Sequence, residues 1–389
     1  MSARADRARL SRVVAFCLAV WLTSRILIES IGWVVVAVHG VPQYSRSGPL
    51  GTFFNWDSGY FECIVKFGYF GPACLDGTTS ARMAFFPGYP LLARALALAI
   101  GAGHLSATSV VTALWAVPTV ASIFGAVLIY RIAETQESGA VARRATVLFV
   151  LGPYALFLVA SYSESLYLAF AMGAWYLVLR RRFWLSGLVG LCATLTRVSG
   201  LFLVPALLVL YVVETRRQGR KLRLVEFIGV AVSGLGAAGY LLWLALRTGH
   251  LNAWFKAQGE GWDRRTQWPW LTLYRQGLHI LFEPTFDWQA QAVLELVFAI
   301  GICAGFVLLI KRRNWPSAVL VGLTALSMMT SNTYLSLARN SLTLFPLTVL
   351  LAALLVRTRH RWLFWAAAAV GAVILVYNTV QFSLGHWAD

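Results

Sequence analysis

Charge is scarce in this chain. Of its 389 residues only 13% are Asp, Glu, Lys or Arg, about half the share of a soluble domain. Acids are the scarcer sign, 16 against 33 basic residues, and only 4 of those 33 are Lys. So low a charged fraction excludes a disordered chain and an ordinary cytosolic enzyme. Five Cys in this length exclude a disulfide-built secreted module. The six His show no HExxH or HxxxH spacing, so no zinc site and no metal is expected. No GxxxxGK loop and no GxSxG elbow occurs, which removes support for nucleotide-driven transport and for a serine hydrolase. Internal repeats and low-complexity tracts are also missing, and a single membrane domain over 1–389 is expected.

What the chain has instead is apolar length. Hydrophobic residues make up 59% of it, and the mean hydropathy is +0.68. Residues 107–130, 145–163, 227–246, 315–338 and 362–385 carry no Asp, Glu, Lys or Arg. Each is near the roughly 20 residues that a membrane helix needs. Residues 13–38, 165–179, 291–310 and 340–356 are further candidates, and 183–213 divides at Thr196-Arg197 into two short apolar pieces. The segment 84–102 contains Pro87, Pro90 and Arg94, a poor composition for a crossing helix. It is expected to be re-entrant or to stay in the outer leaflet. The resulting fold class is an all-α polytopic membrane protein with about eleven transmembrane helices.

The charges then report orientation. Twenty-one of the 33 basic residues fall in six clusters, around Arg4–Arg12, Arg131–Arg144, Arg180–Arg182, Arg216–Arg223, Lys311–Arg313 and Arg357–Arg361. With 84–102 not crossing, all six lie on one side, which the positive-inside rule makes cytoplasmic along with the N-terminus. The first span is long and lacks a small-residue cleavage site, so it is expected to be retained. Arginine outnumbering lysine fits GC-rich coding, and the plasma membrane of a bacterium is the expected location. No nucleic-acid partner is expected, because the net charge of +17 is an orientation signal.

The other side receives the loop 39–83, the turn SYSES at 161–165, the hairpin tip at Arg197, Arg339, and the loop 247–290. Loops of that length usually carry function. Asp57 stands among Asn55, Trp56 and Tyr60, before a stretch that suits a short amphipathic helix at the interface. It is either a reactive acid or a cap for that helix. Arg82 precedes FFPGYP, whose two prolines fix a bend. That bend is either a plain re-entry turn or the wall of a pocket. Glu164 is either a solvated turn acid at a helix start or a site residue beside Tyr162 and Ser163. Arg197 and Arg339 either snorkel to headgroups or bind a substrate phosphate. Arg25 and Glu29, four positions apart in the first span, are expected to neutralise each other. Cys17, Cys192 and Cys303 are expected as buried thiols, and Cys63 and Cys74 as a candidate bridge. The five tryptophans of 247–290 form either an acceptor-side lid or an interfacial belt.

Taken together these pieces resemble the glycosylphosphatidylinositol mannosyltransferase II (PIG-V) family and its bacterial relatives, within the GT-C class. The carriers are NWDSGYFECIVKFGYF at 55–70, AFFPGYPLLARAL at 84–96 and LGPYALFLVASYSESLYLAF at 151–170. The match continues in LSGLVGLCATLTRVSGLFLVPALL at 185–208 and LARNSLTLFPL at 337–347. The resemblance implies transfer of mannose from a polyprenyl-phosphate-mannose donor to a hydroxyl of a glycolipid or glycan acceptor on the exoplasmic face. No cofactor is implied. Asp57 matches the family's catalytic acid, Glu164 its SYSES acid and Arg197 its TR motif. The sequence departs at Ile64-Val65, where an Ile-Ala pair is common, and at Gly88, where a bulky residue is common. The other class left open is a lipid-linked sugar flippase, and within the class a different sugar.

Overall fold

The computed structural model describes residues 3–41, 48–72 and 79–388. Among them regular structure is helical, with no named strand. The first half contains α1 (Ala3–His39), α2 (Asp57–Phe67), α3 (Gly88–Ile100), α4 (Ala107–Gln136), α5 (Gly139–Val150), α6 (Glu164–Leu179), α7 (Phe183–Thr196) and α8 (Gly200–Arg217). The second contains α9 (Leu224–Ala231), α10 (Leu235–Thr248), α11 (Ala253–Trp262), α12 (Pro269–Phe282), α13 (Phe286–Lys311), α14 (Trp315–Met329), α15 (Leu337–Asn340), α16 (Phe345–Arg357) and α17 (Trp362–Ser383). Side-chain caps start several of these. Ser106 accepts from the Ser109 amide, Ser138 from Val141 and Asn314 from Ser317. Pro269, Pro316 and Pro346 stand in first turns, where the missing N–H costs nothing.

Among the described residues five helical stretches are long and apolar enough to cross a membrane: Arg9–His39, Ala107–Gln136, Leu224–Thr248, Phe286–Lys311 and Trp362–Ser383. A sixth is the pair Leu337–Thr343 and Phe345–Arg357, bent by 78°. The remaining apolar helices are shorter, so length and composition establish five or six spans and not the full eleven. The run 145–163 is divided rather than continuous. Gly152-Pro153 ends α5, and the chain turns through a 3₁₀ segment, Ala155–Leu158, before α6 begins. The segment 84–102 holds one helix of 13 residues, about 20 Å long and short of a bilayer core.

The core gathers around α6, which is buried along its length by residues such as Tyr167, Met172 and Trp175. Helices α4, α7 and α8 pack around it. Close approach of α7 to α9 needs Gly187, where a Cβ would stand 1.8 Å from the Gly229 carbonyl oxygen. The long spans also expose apolar faces, among them Val34, Phe124, Leu246, Ile300 and Val373.

Five of the six basic clusters are tied to one end of the bundle by their contacts. Arg9 and Arg131 both pair with Glu134, at 2.8 and 2.7 Å. Arg131 also reaches the Tyr176 hydroxyl near the end of α6, which leads into Arg180–Arg182. Arg357 pairs with Glu137 at 3.2 Å, and Arg312 lines a cavity together with both. Asp57, Glu164, Arg197 and Arg339 come together far from these, where α2 and α6 begin and α7 ends.

Arg25 departs in part from the sequence expectation. It is buried, and donates to the Leu158 carbonyl and the Ser122 hydroxyl while its guanidinium lies over Trp21. No ion pair with Glu29 forms among the described residues. Glu29 still acts on Arg25 electrostatically, so the expected partnership persists without direct contact, and the hydrogen bonds of Arg25 go to Leu158 and Ser122. Of the three expected buried thiols only Cys17 is buried; Cys192 is half-buried and Cys303 is exposed on the outer face of its span. Cys63 is disulfide-bonded, and Cys74, the partner expected from the sequence, lies outside the described residues.

Candidate active site

Helix α2 begins without a side-chain cap. Its N-cap position is Trp56, held at φ 54°, a conformation uncommon for a bulky residue. The Asp57 side chain turns to Arg339, with its Oδ2 3.4 Å from Nη1. The reading of Asp57 as a cap is thereby replaced. The Asp57 amide donates to the Tyr162 hydroxyl at 3.2 Å, and that hydroxyl donates to the Asn55 carbonyl at 3.2 Å. The Asn55 side chain donates to the Phe382 carbonyl at 2.8 Å. Three separated segments thus hold one carboxylate in place.

Glu164 is fully buried and opens α6. It is not a solvated turn acid. Its Oε1 lies 2.7 Å from Arg197 Nη1 and 3.4 Å from Arg339 Nε. Arg197, at the turn between α7 and α8, also donates to the Ser163 hydroxyl at 3.0 Å and the Asn340 side-chain oxygen at 2.8 Å. The Arg339 guanidinium lies 5.2 and 5.3 Å from the rings of Phe157 and Tyr162. The result is a chain of alternating charge, Asp57–Arg339–Glu164–Arg197. Neither arginine snorkels to the surface. Burial pushes the Asp57 carboxyl above the ordinary carboxylate range, Arg339 pulls it back, and Glu164 pushes it further up.

A cavity of about 480 Å³ opens on this chain. Asp57, Tyr162, Ser163, Arg197 and Arg339 line it, with Asn340 beside them. Phe85 and Phe86 form one wall, so the bend at FFP is part of a pocket. The roof comes from 254–266, through Trp254, Gln258, Trp262 and Arg264. It is tied down by Trp254 donating to the Ala84 carbonyl at 3.1 Å and by Arg264 donating to the Leu335 carbonyl at 3.0 Å. The tryptophans of 247–290 divide between the two roles. Trp254 and Trp262 face the cavity, whereas Trp268 and Trp270 stack on each other and are 65% and 62% exposed.

Other residues singled out from the sequence take supporting places. Tyr60 packs between Phe85 and Trp262, with ring centroids 5.3 and 5.7 Å away. Trp56 stands against Trp387 at 5.0 Å, and Trp387 lines the cavity. Arg82 is not part of the cavity lining. Its guanidinium donates to the carbonyls of Gly68, Gly71 and Pro72 at 3.2, 3.2 and 2.6 Å, fixing the loop after α2. That helix is buried through Phe61, Glu62, Ile64 and Val65, while Phe67 at its end is exposed.

Sequence reasoning missed Asn340, Arg264, Trp387 and Glu295. Glu295 is buried on α13, and its Oε2 accepts from the Ala338 amide at 2.8 Å, just before Arg339. Its signal was present, as the one acid within the apolar run 291–310. Among the described residues no three His, Cys, Asp or Glu side chains gather as a metal site.

The family model described as Mannosyltransferase (PIG-V) matches residues 11–222. The chain belongs to this family. The matched region contains Asp57, Glu164 and Arg197; Arg339 and the roof of the cavity lie beyond it. No curated protein matches the chain. Among solved structures it is similar to the oligosaccharyltransferase of Archaeoglobus fulgidus tethered to an acceptor peptide, at TM-score 0.44 and 12% identity over 95% of this chain and 55% of that one. The archaeal enzyme in complex with an inhibitory peptide and a dolichol-phosphate gives TM-score 0.44 and 14% identity over 95% and 56%. The chain spans about half the length of these structures.

Proposed function

We propose that the protein transfers mannose from a polyprenyl-phosphate-mannose to a hydroxyl of a lipid-linked or glycolipid acceptor. The observation that carries this reading is the Asp57 carboxylate, lining the cavity with its pKa raised by burial. A raised pKa makes a carboxylate a better base near neutral pH. The acceptor oxygen attacks the anomeric carbon as its proton passes to Asp57. The bond from that carbon to the phosphate oxygen breaks, and the lipid phosphate departs with an added negative charge. Arg197 and Arg339 line the same space and stabilise that charge electrostatically. Glu164 holds both guanidiniums at fixed positions, so they need no reorganisation as charge develops. Asn55, Trp56, Tyr60, Tyr162 and Ser163 shape the acid's surroundings. Displacement in one step inverts the anomeric centre and needs a single base.

The end of the bundle that gathers the basic clusters faces the cytoplasm under the positive-inside rule. The cavity then opens on the exoplasmic side, where a lipid-linked sugar is presented from the membrane plane. The test is purified protein reconstituted with radiolabelled polyprenyl-phosphate-mannose and a membrane lipid extract, read by thin-layer chromatography. Label moving to a new glycolipid with wild-type protein, and not with Asp57→Asn, is the expected result. Label that only changes leaflets makes the protein a flippase and ends this reading.

A further inference from the structure

A second cavity, of about 270 Å³, lies at the opposite end of the bundle from Asp57, among α4, α6, α13, α14 and α16. Its lining is graded. The inner part is apolar, from Ile132, Trp175, Leu309, Phe345, Val349 and Leu350, all buried. The mouth is polar, from Gln136, Glu137, Arg312, Asn314, Ser317 and Arg357. Arg357 has a 60% exposed side chain and pairs with Glu137 at 3.2 Å. Arg312 adds a second positive charge, and Lys311, Arg313, Arg359 and Arg361 follow closely in sequence. Trp175 is fully buried, and its indole N–H has no hydrogen-bond partner among the described residues.

We infer that this cavity binds an anionic phospholipid from the leaflet at the basic end, with an acyl chain in the apolar part and the phosphate at Arg312 and Arg357. An apolar slot with a cationic rim between membrane helices matches an amphipathic anion. A basic pocket of this kind on the cytoplasmic side selects anionic headgroups. Glu137 acts against the lipid, because it occupies Arg357 and repels phosphate. The site is separate from the Asp57 cavity and does not depend on which sugar is transferred.

The test is native mass spectrometry of the full-length protein in detergent, titrated with phosphatidylglycerol or phosphatidylcholine. Wild type should hold phosphatidylglycerol at least about tenfold more tightly. Arg312→Gln with Arg357→Gln should weaken phosphatidylglycerol about 25-fold, from roughly fivefold per arginine, and leave phosphatidylcholine unchanged. Glu137→Gln should tighten phosphatidylglycerol several-fold, a gain that misfolding does not produce. Val349→Trp, which fills the apolar part, should weaken both lipids. Equal affinity for the two lipids, no gain in Glu137→Gln, or full displacement by millimolar inorganic phosphate would overturn the proposal; the last would make the site one for a free anion.

Discussion

The two ends of this molecule handle the same residue, arginine, in opposite ways. At one end Arg197 and Arg339 have side chains only 15% and 8% exposed, and each is bound to a buried carboxylate. At the other, Arg9, Arg217 and Arg357 are 57%, 75% and 60% exposed and pair with acids near the surface. Burial of charge is expensive unless every charge is matched. A chain with 16 acids commits two of them, Asp57 and Glu164, to one small region. The exposed end leaves its charges to solvent, while the buried end holds its charges in a fixed electrostatic order.

The sharpest way to break this comparison is Asp57→Asn. Transfer should fall about 10²–10⁴-fold, the usual range for losing a general base, with little change in melting temperature. Near-normal turnover would remove Asp57 from the chemistry. Next is Glu164→Gln, which leaves two buried guanidiniums facing a neutral amide. It should cost about 3–5 kcal/mol of stability and most of the activity, read as a fall in melting temperature in detergent. A change under about 1 kcal/mol would mean that the quartet is not a unit. Smaller is the effect of Arg339 on the acid limb of the pH profile. The base works deprotonated, and Asp57 sits above the ordinary carboxylate range, so activity should fall on acidification at a higher pH than for a solvated carboxylate. Arg339 lowers that pKa, so Arg339→Gln should move the acid limb further up in whatever activity remains. A downward shift contradicts the arrangement. The smallest effect belongs to Arg217→Gln at the exposed end, whose contact to Glu214 is 3.8 Å. Stability should change by less than about 1 kcal/mol.

The scarcity of charge explains why the site was legible. In a chain this apolar, any acid or arginine in a turn between spans stands out, and Asp57, Glu164, Arg197 and Arg339 were each found that way. Their mutual pairing was not legible, since residues 57, 164, 197 and 339 are joined only by packing of α2, α6, α7 and α15. Asn340 was hidden because an asparagine beside an arginine has no periodic signal, yet it fixes Arg197. Arg25 was legible only in part. Spacing of i and i+4 pointed to Glu29, which does act on it electrostatically, but its hydrogen bonds go to the Ser122 hydroxyl and to the Leu158 carbonyl in the broken run after Gly152-Pro153. That break itself followed from a proline inside an uncharged run, where hydropathy alone read one continuous span. The all-helical architecture was legible from composition; the division into long and short helices was decided by turns.

Gly88 begins α3 directly against the end of α7. A Cβ there would stand 2.7 Å from the Thr196 hydroxyl and 2.9 Å from the Leu195 carbonyl oxygen. The next residue after Thr196 is Arg197. The absent side chain therefore acts as a spacer that sets how deep the guanidinium sits relative to Asp57. A bulkier residue at position 88 would force α7 to end further from α3 unless Leu195-Thr196 changed with it. The thickness of that one contact thus sets the depth of the cavity's positive charge.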